Sequence, residues 1–343
     1  MYYMGVDNHK QRSHLTIMEE DGAIIKAGSV LNYRSEIQEF LGDLDKEMKA
    51  VVEAGYSSYV LVDILEDLGV EVKVAHPLEV KAIAKAKIKT DKRDSRILAD
   101  LLRANLIPEA HKRSPETRRA QRVLRQRVFF VAAMRRVKNR VRALLAQQPE
   151  DIQKTIGLEK ELFSQKGIAR LKAVEMASVD KALVEGLLKL HEELKALIKT
   201  SDKLVEELFQ KMADAQQIYT VPGFGKFFSV LVATEIDDIR RFESAAKLHS
   251  YAGVIPSTHS SGMRTYQGKM TREGNRWLRW AAVEAVWPAI RHDHGLQLFY
   301  QKYASRKKPN AAKVATARRL LTIIYTILKE GRNYVPFPKN DRE

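Results

Sequence analysis

Four carboxylates stand where chemistry could be done. Asp7 follows a short apolar stretch, Tyr2–Val6, and Glu53 ends another, Lys49–Glu53. Asp91 and Asp94 lie in Lys89-Thr90-Asp91-Lys92-Arg93-Asp94, and a spacing of three puts both on one face of a helix, about 5–6 Å apart at Cβ. Carboxylates drawn together repel one another unless protons or cations neutralise them. Oxygen-only donors suit Mg2+ or Mn2+. Two such ions about 3.5–4 Å apart would clamp the attacking and leaving oxygens of a phosphodiester. The plainer alternative is four solvated surface acids in a chain with 43 Asp+Glu. The strand-end positions of Asp7 and Glu53 weigh against it.

A second group offers a hydroxyl. His259-Ser260-Ser261-Gly262 is followed by Arg264, Lys269, Arg272, Arg276 and Arg279. A serine among guanidiniums can attack a phosphodiester while they stabilise the added charge. The resulting phosphoserine would conserve bond energy for rejoining strands without ATP. On these residues alone an ordinary polar loop is the better reading. Val221-Pro222-Gly223-Phe224-Gly225, then Lys226 and an apolar run, has the form of a helix-hairpin-helix turn. Glycines there let backbone N–H groups face a phosphate at a helix N-terminus; a plain turn fits equally well. It is not a nucleotide-binding P-loop, because Phe227 stands where Ser or Thr is needed and position 220 is Thr rather than Gly. His292 and His294 lack carboxylate company and read as structural or exposed.

The third group is basic. Residues 111–142 hold twelve Lys or Arg and one acid, Glu116. Among the twelve are Arg118, Arg119, Arg122, Arg125, Arg135, Arg136 and Arg140. So dense a single-sign face repels itself unless a phosphate backbone lies along it, whereas a merely solvated face mixes signs. The whole chain of 343 residues carries 59 Lys+Arg against 43 Asp+Glu, a formal charge of +16 that favours a polyanionic partner, most simply nucleic acid. With no cysteine, a disulfide framework, a Cys-ligated zinc site, an iron–sulfur cluster and a cysteine nucleophile are excluded. No apolar run approaches the roughly 20 residues that cross a bilayer. An aspartate by residue 7 argues against a signal peptide. A cytoplasmic protein is expected.

The elements that must position these groups follow from patterning. Tyr2–Val6, Ser13–Met18 and Ala23–Leu31 read as three meandering strands, with a tight turn at Asp21-Gly22. A helix from Ser35 to about Lys46, a strand Lys49–Glu53, a helix Ser57–Leu68, a strand Val70–Ala75 and a long helical stretch from His76-Pro77 to about Asn105 complete the order. A meander followed by crossover βαβ units gives a mixed sheet with helices on its faces. This is the ribonuclease H-like arrangement, in which the first and fourth strands are adjacent and all four carboxylates converge. From Ser114 to about Gln148 the pattern is one long helix. Leu183, Leu187, Leu190, Leu194, Leu197, Leu204, Leu208 and Met212 then form a heptad-like seam, with Ser201 in the one gap. The two runs predict an antiparallel helical hairpin or a dimerising coiled coil; two ordinary core-facing helices fit about as well. After Ile218 come an apolar helix, a Gly- and Ser-rich segment over 252–274, two further helices ending near Lys329 and a loose tail.

These pieces together resemble the DEDD-type transposases of insertion-sequence family 110, RNA-guided recombinases of small bacterial mobile elements. Gly5-Val6-Asp7 is similar to the family's first acid, Val52-Glu53-Ala54-Gly55 to its second, and Lys89-Thr90-Asp91-Lys92-Arg93-Asp94, leading into Ala99-Asp100-Leu101-Leu102, to its paired third and fourth. Val221–Gly225 resembles the start of its C-terminal domain. Ala252-Gly253-Val254-Ile255-Pro256 followed by Ser260-Ser261-Gly262 resembles the segment with its nucleophilic serine, which stands directly before the glycine, hence Ser261. Met263-Arg264-Thr265-Tyr266 departs from the Gly/Lys-rich run of the family.

The resemblance implies an α/β plus α protein. Its parts are a ribonuclease H-like (RuvC-like) catalytic domain over 1–108, a basic helical coiled-coil domain over 109–215 and a mainly helical transposase domain over 216–343. It implies donor and target DNA as substrates, a structured noncoding guide RNA, and a homo-oligomer in which the acids of one subunit and the serine of another form a composite site. In this reading Asp7, Glu53, Asp91 and Asp94 bind Mg2+ (or Mn2+) and Ser261 is the nucleophile. Nucleic acid lies on the basic helix, on Gly223, Gly225 and Lys226, and on Arg264, Lys269, Arg272 and Arg276. Two rivals stand beside it: a metal-dependent Holliday-junction-type nuclease in which water attacks, and a non-catalytic nucleic-acid-binding protein. An actin-like ATPase would need glycine-rich phosphate loops that Val6-Asp7-Asn8-His9 and Ala54-Gly55-Tyr56-Ser57 do not supply.

Overall fold

The computed structural model describes residues 1–336 apart from 43, 45–46, 56, 85–89, 158–160, 262–263, 271–273 and 307; for 257–261 and 264–270 it describes the backbone alone. The chain divides into two compact units, Met1–Arg113 and Ser114–Glu343.

In the first unit the meander is β1 (Tyr2–Asn8), β2 (Arg12–Met18) and β3 (Ile24–Leu31). Then follow α1 (Arg34–Leu41), β4 (Met48–Glu53), α2 (Ser58–Asp67), β5 (Glu71–Ala75), α3 (Pro77–Ile83) and α4 (Asp91–Arg103). The sheet order is β3-β2-β1-β4-β5. The first three strands run antiparallel, while β4 is parallel to β1 and β5 to β4. Alternation along the strands assigns the two faces. Met4 and Val6 of β1, Leu15 and Ile17 of β2 and Val52 of β4 pack with Ile37 of α1 and Leu61 and Leu65 of α2. The opposite face, with Val51 and Ala75, packs on Leu98 and Leu102 of α4. Where one long helix was expected from Pro77 to Asn105 there are two, α3 and α4. Thr90 starts α4, its side chain accepting from the Arg93 amide at 3.3 Å, and Asp91 and Asp94 complement the helix dipole in the first turn.

The second unit holds α5 (Pro115–Leu145), α6 (Glu150–Ile156), α7 (Gln165–Ala173), α8 (Ser178–Lys211), α9 (Ala213–Tyr219), α10 (Lys226–Ile236), α11 (Ala245–Ala252), β6 (Pro256–Ser261), β7 (Arg264–Met270), α12 (Arg276–His292), α13 (His294–Ala304) and α14 (Pro309–Glu330). α5 and α8 pack antiparallel. Leu124 shares a core with Val205 and Phe209, Met134 and Val137 with Leu194, and Val141 and Leu144 with Val184 and Leu188. The hairpin forms through a face of α8 next to the one the leucines mark. Val184, Leu188, His191, Leu194, Ser201, Val205 and Phe209 are buried, whereas Leu183, Leu190, Leu197 and Leu204, spaced by seven, are exposed. α8 is leucine-rich on two adjacent faces, and its partner helix decides which is covered.

The last third is built on α10, α12 and α14. Val230, Leu231, Ala281, Ala285, Leu320 and Ile324 belong to one core. The Gly- and Ser-rich segment, expected as a loop, is a β-hairpin: β6 pairs antiparallel with β7, with Ser260 opposite Thr265 and Ser261 opposite Arg264. After it come three helices rather than two.

Candidate metal centre and nucleic-acid interface

The acidic site begins with a glycine. A Cβ on Gly5 of β1 would lie 1.9 Å from the Ser95 carbonyl oxygen and 2.5 Å from the Ala99 amide nitrogen, so α4 rests directly on the strand. Ser95, fully buried, locks the contact: its hydroxyl lies 2.7 Å from the Thr16 hydroxyl and 2.9 Å from His14 Nδ1, both on β2. Gly5 and Asp7 share this face of β1, and His9 follows just past its end. Asp91 begins the helix one turn before Ser95. The Asp7 and Asp91 carboxylates therefore converge, with the His9 ring between them: His9 Nε2 lies 3.4 Å from Asp7 Oδ2 and 3.3 Å from Asp91 Oδ1. One ligand atom from each of Asp7, His9 and Asp91 falls within 4.8 Å of the others. Asp7 is 15% exposed at its side chain and Asp91 63%, so the group opens to solvent on the helix side.

Glu53 and Asp94 are not members of that group. The β1–β4 register pairs Val6 with Val52; one step further it sets Glu53 beside Asp7 at the same sheet end. Asp94 is three residues beyond Asp91 in the first turn of α4. Both are half-buried. The structure thus brings two of the four carboxylates together and places the other two alongside. His9 is the residue that sequence reasoning missed. Its signal was the two-residue alternation of Gly5, Asp7 and His9, hidden because the expected strand stopped at Val6.

On α5 the basic residues sort into two kinds. Arg122, Arg136 and Arg140 are exposed and make no ion pair with a described residue. Their spacing, with Arg118 and the 55%-exposed Phe129, places them along one face of the helix. Arg119 is exposed but paired with Glu116, and Arg135 is exposed on a different face. Arg125 differs from all of these. It pairs with Glu235, which is 1% exposed, and stacks on Trp277 at 4.1 Å. Glu235 also accepts from Asn275 Nδ2 at 2.8 Å, and Asn275 in turn caps α12 by accepting from the Trp277 and Leu278 amides. Arg125 is thus part of the scaffold that roots the β6–β7 hairpin.

Comparison with known proteins decides the family. Residues 4–148 match the model of the DEDD transposases of IS110 elements, and residues 215–301 match the model described as the transposase IS116/IS110/IS902 family. The chain belongs to the IS110 family of DEDD transposases. Among its relatives are an insertion element IS116 protein of Streptomyces clavuligerus, 23% identical over 98% of this chain and 96% of the relative. Two others are the transposase for insertion sequence element IS1328 of Yersinia enterocolitica, 23% identical over 96% of this chain and 97% of the relative, and the transposase for IS1111A of Coxiella burnetii, 22% identical over 78% and 74%. The protein is accordingly a DNA transposase enzyme, and membership implies a divalent metal. The donor set fits one: two carboxylate oxygens suit a hard cation, and the imidazole nitrogen of His9 adds a ligand that Mn2+ accepts more readily than Mg2+.

The other residues that the sequence singles out lie in the second unit. Ser260 and Ser261 close β6 at the tip of the hairpin, with Arg264 and Lys269 on β7; Gly262 and Arg272 lie outside the described residues. The hairpin root is tight. A Cβ on Gly274 would lie 2.3 Å from the Gly253 amide nitrogen, and the Asn275 amide donates to the Tyr251 carbonyl at 2.6 Å. Arg276, exposed, stacks on Trp277 at 5.2 Å. Gly223 has φ +96°, and its added Cβ would lie 2.3 Å from the Ala285 carbonyl oxygen, so packing against α12 accounts for this glycine. Gly225 precedes α10 and brings no capping side chain, while Lys226 pairs with Glu206 at 2.7 Å. That pair, first, and Gln210, second, hold the Glu206 carboxyl below its ordinary pKa. Among the described residues no helix is long and apolar enough to cross a membrane.

Proposed function

We propose that this transposase is a site-specific recombinase that cuts and rejoins DNA through an acidic metal site and a serine nucleophile. The observation that carries the metal half is the approach of Asp7 and Asp91, enforced by Gly5. In this reading Asp7, Glu53, Asp91 and Asp94 hold Mg2+ (or Mn2+), with His9 beside them, in a ribonuclease H-like (RuvC-like) domain. The strand order supports that assignment. When bound, the metal polarises the scissile phosphate. Ser261 Oγ forms a bond to phosphorus as the bond to the leaving sugar oxygen breaks, and the serine proton ends on that oxygen. Reversal with an exchanged strand reseals the DNA. The hairpin supports the serine assignment by ending β6 at Ser261 opposite Arg264.

The α5 stripe of Arg118, Arg122, Arg136 and Arg140 lies along nucleic acid, with Arg119 and Arg135 on neighbouring faces. Gly225 and Lys226 at the start of α10, and Arg264, Lys269, Arg272 and Arg276 around the hairpin, add phosphate contacts. An element-encoded guide RNA is the partner that selects donor and target. The helical arm through residue 215 assembles subunits as a coiled coil, supported by the exposed heptad Leu183, Leu190, Leu197 and Leu204, and the part from 216 onward carries the nucleophile.

The test is adduct formation with target DNA on denaturing gels. Ser261→Ala removes both the protein–DNA adduct and the recombinant product while DNA binding persists; Ser260→Ala does neither. If both single variants and the double variant still recombine DNA, the covalent mechanism falls and a water-using nuclease takes its place.

A further inference from the structure

A groove of about 660 Å³ runs between α5, the start of α10 and α12. Its floor is aromatic. Phe227, Phe228 and Trp280 line it, each half-buried, with Phe228 and Trp280 edge to face at 5.0 Å and Phe227 and Trp280 at 6.1 Å. Its walls carry Arg127, Arg135 and Lys226 and no acidic residue. Arg127 lies over the Phe227 ring at 4.5 Å and is held by Asp202 at 2.5 Å. Arg135, exposed, makes no ion pair with a described residue. Gly225 leaves the first turn of α10 without a side-chain cap at the same mouth.

Aromatic faces flanked by cations match one chemistry closely. A nucleobase stacks on a ring whatever its sequence, and its phosphate meets the guanidinium. A paired base offers neither face, so the occupant must be unpaired. Asp202 and Glu206 already pair with Arg127 and Lys226, so an apolar peptide would fill the floor but leave Arg135 without counter-charge. We infer that this groove receives unpaired nucleotides of the DNA strand being exchanged, stacking them on Trp280 with their phosphates at Arg135 and the α10 N-terminus. The inference rests on the proposed recombinase reading only for the substrate being DNA whose strands separate during exchange.

The experiment uses the full chain with a fluorescein-labelled 15-nucleotide single strand, the same strand as duplex, and an RNA of the same sequence, read by anisotropy at fixed salt. The single strand quenches the tryptophan fluorescence. Trp280→Leu, which keeps apolar bulk and loses the ring, weakens single-strand DNA binding about ten-fold, the scale of one stacked base. Trp280→Phe retains most of it. Ala132→Leu, which fills the groove from α5, has the same effect as Trp280→Leu and leaves duplex affinity unchanged. If the single-strand affinity of both Leu variants equals that of the parent while duplex binding survives, the groove assignment is overturned and the recombinase reading stands. If the parent binds neither form of DNA, both fall. A loss confined to the RNA arm, or a change of oligomeric mass in light scattering in place of a loss of DNA, also overturns the inference.

Discussion

Gly5 and Ser95 are in contact across the edge of two elements: the space a Cβ would need on Gly5 is filled by the Ser95 carbonyl oxygen. This single approach brings the α4 acids to the end of β1. Because the obstructing atoms are helix backbone, Gly5→Ala cannot be absorbed by a side-chain shift. It is expected to cost about 1–3 kcal/mol of stability and to draw Asp91 away from Asp7. Urea unfolding and Mn2+ titration check the two parts, and an unchanged Mn2+ affinity in a destabilised variant would separate the packing from the site.

At the site itself, Asp91→Asn removes one of two converging charges. Cleavage of DNA in Mg2+ is expected to be lost, with folding intact or slightly improved as repulsion is relieved. His9→Gln is expected to lower Mn2+ affinity about ten-fold or more and to change Mg2+-supported cleavage less, because nitrogen donors favour Mn2+. Parental cleavage by Asp91→Asn would remove this carboxylate from the mechanism.

The two kinds of arginine on α5 have separable effects. Replacing Arg122, Arg136 and Arg140 by Gln together is expected to flatten the salt dependence of DNA binding by about 0.7–0.9 log units per lost phosphate contact, with the unfolding midpoint unchanged. Arg125→Gln is expected to do the converse. It takes the guanidinium from the buried Glu235 and leaves its hydrogen bond from Asn275, at a cost of about 2–3 kcal/mol, below that of a fully enclosed pair because the guanidinium is 30% exposed. Binding as a function of salt, alongside urea unfolding, reads both.

The leucine stripe predicts assembly. Leu190 and Leu197 are 47% and 43% exposed, so the double change Leu190→Glu/Leu197→Glu is expected to leave helical content and stability within about 0.5 kcal/mol while shifting the protein to a smaller species in light scattering. Unchanged mass would place the subunit contact elsewhere.

Acid sensitivity follows from two histidines. Burial, first, holds the His191 ring below its ordinary pKa, and burial, then the Arg318 charge, does the same for His249. His191 stacks on Phe163 at 5.3 Å, and His249 meets the Thr322 hydroxyl at 3.1 Å. The folded pKa of each lies below the unfolded value of 6.5. As pH falls through about 6.5, the unfolded chain takes up protons that the folded one does not, and stability is lost. The thermal midpoint is expected to drop between pH 7 and 5, and by less in His249→Gln. An equal drop in that variant would assign the loss to other groups.

Much of the candidate site was legible in the chain itself. A meander followed by crossover units allows few strand orders, and those that put the first and fourth strands together set Asp7 beside Glu53 whatever the side chains pack against. The capping threonine and the three-residue spacing of Asp91 and Asp94 are local, and so is the excess of positive charge on α5. None of these depends on a distant partner.

The rest depended on one. The hairpin over 256–270 is polar and lacks a clean apolar alternation, so its pairing came only with its partner strand. The leucines of α8 mark a face as well as its neighbours do, and only α5 chose which set to bury. Arg125 reads as a surface cation until Glu235, more than a hundred residues on, is found beneath it. Gly5 reads as an interruption in a strand until α4 lies on it, and His9 as a turn residue until Asp7 and Asp91 close around it. Residue type and spacing determined the local elements and the sign of the charge. Contacts between residues far apart in sequence decided which side chains meet, because only packing puts them within reach.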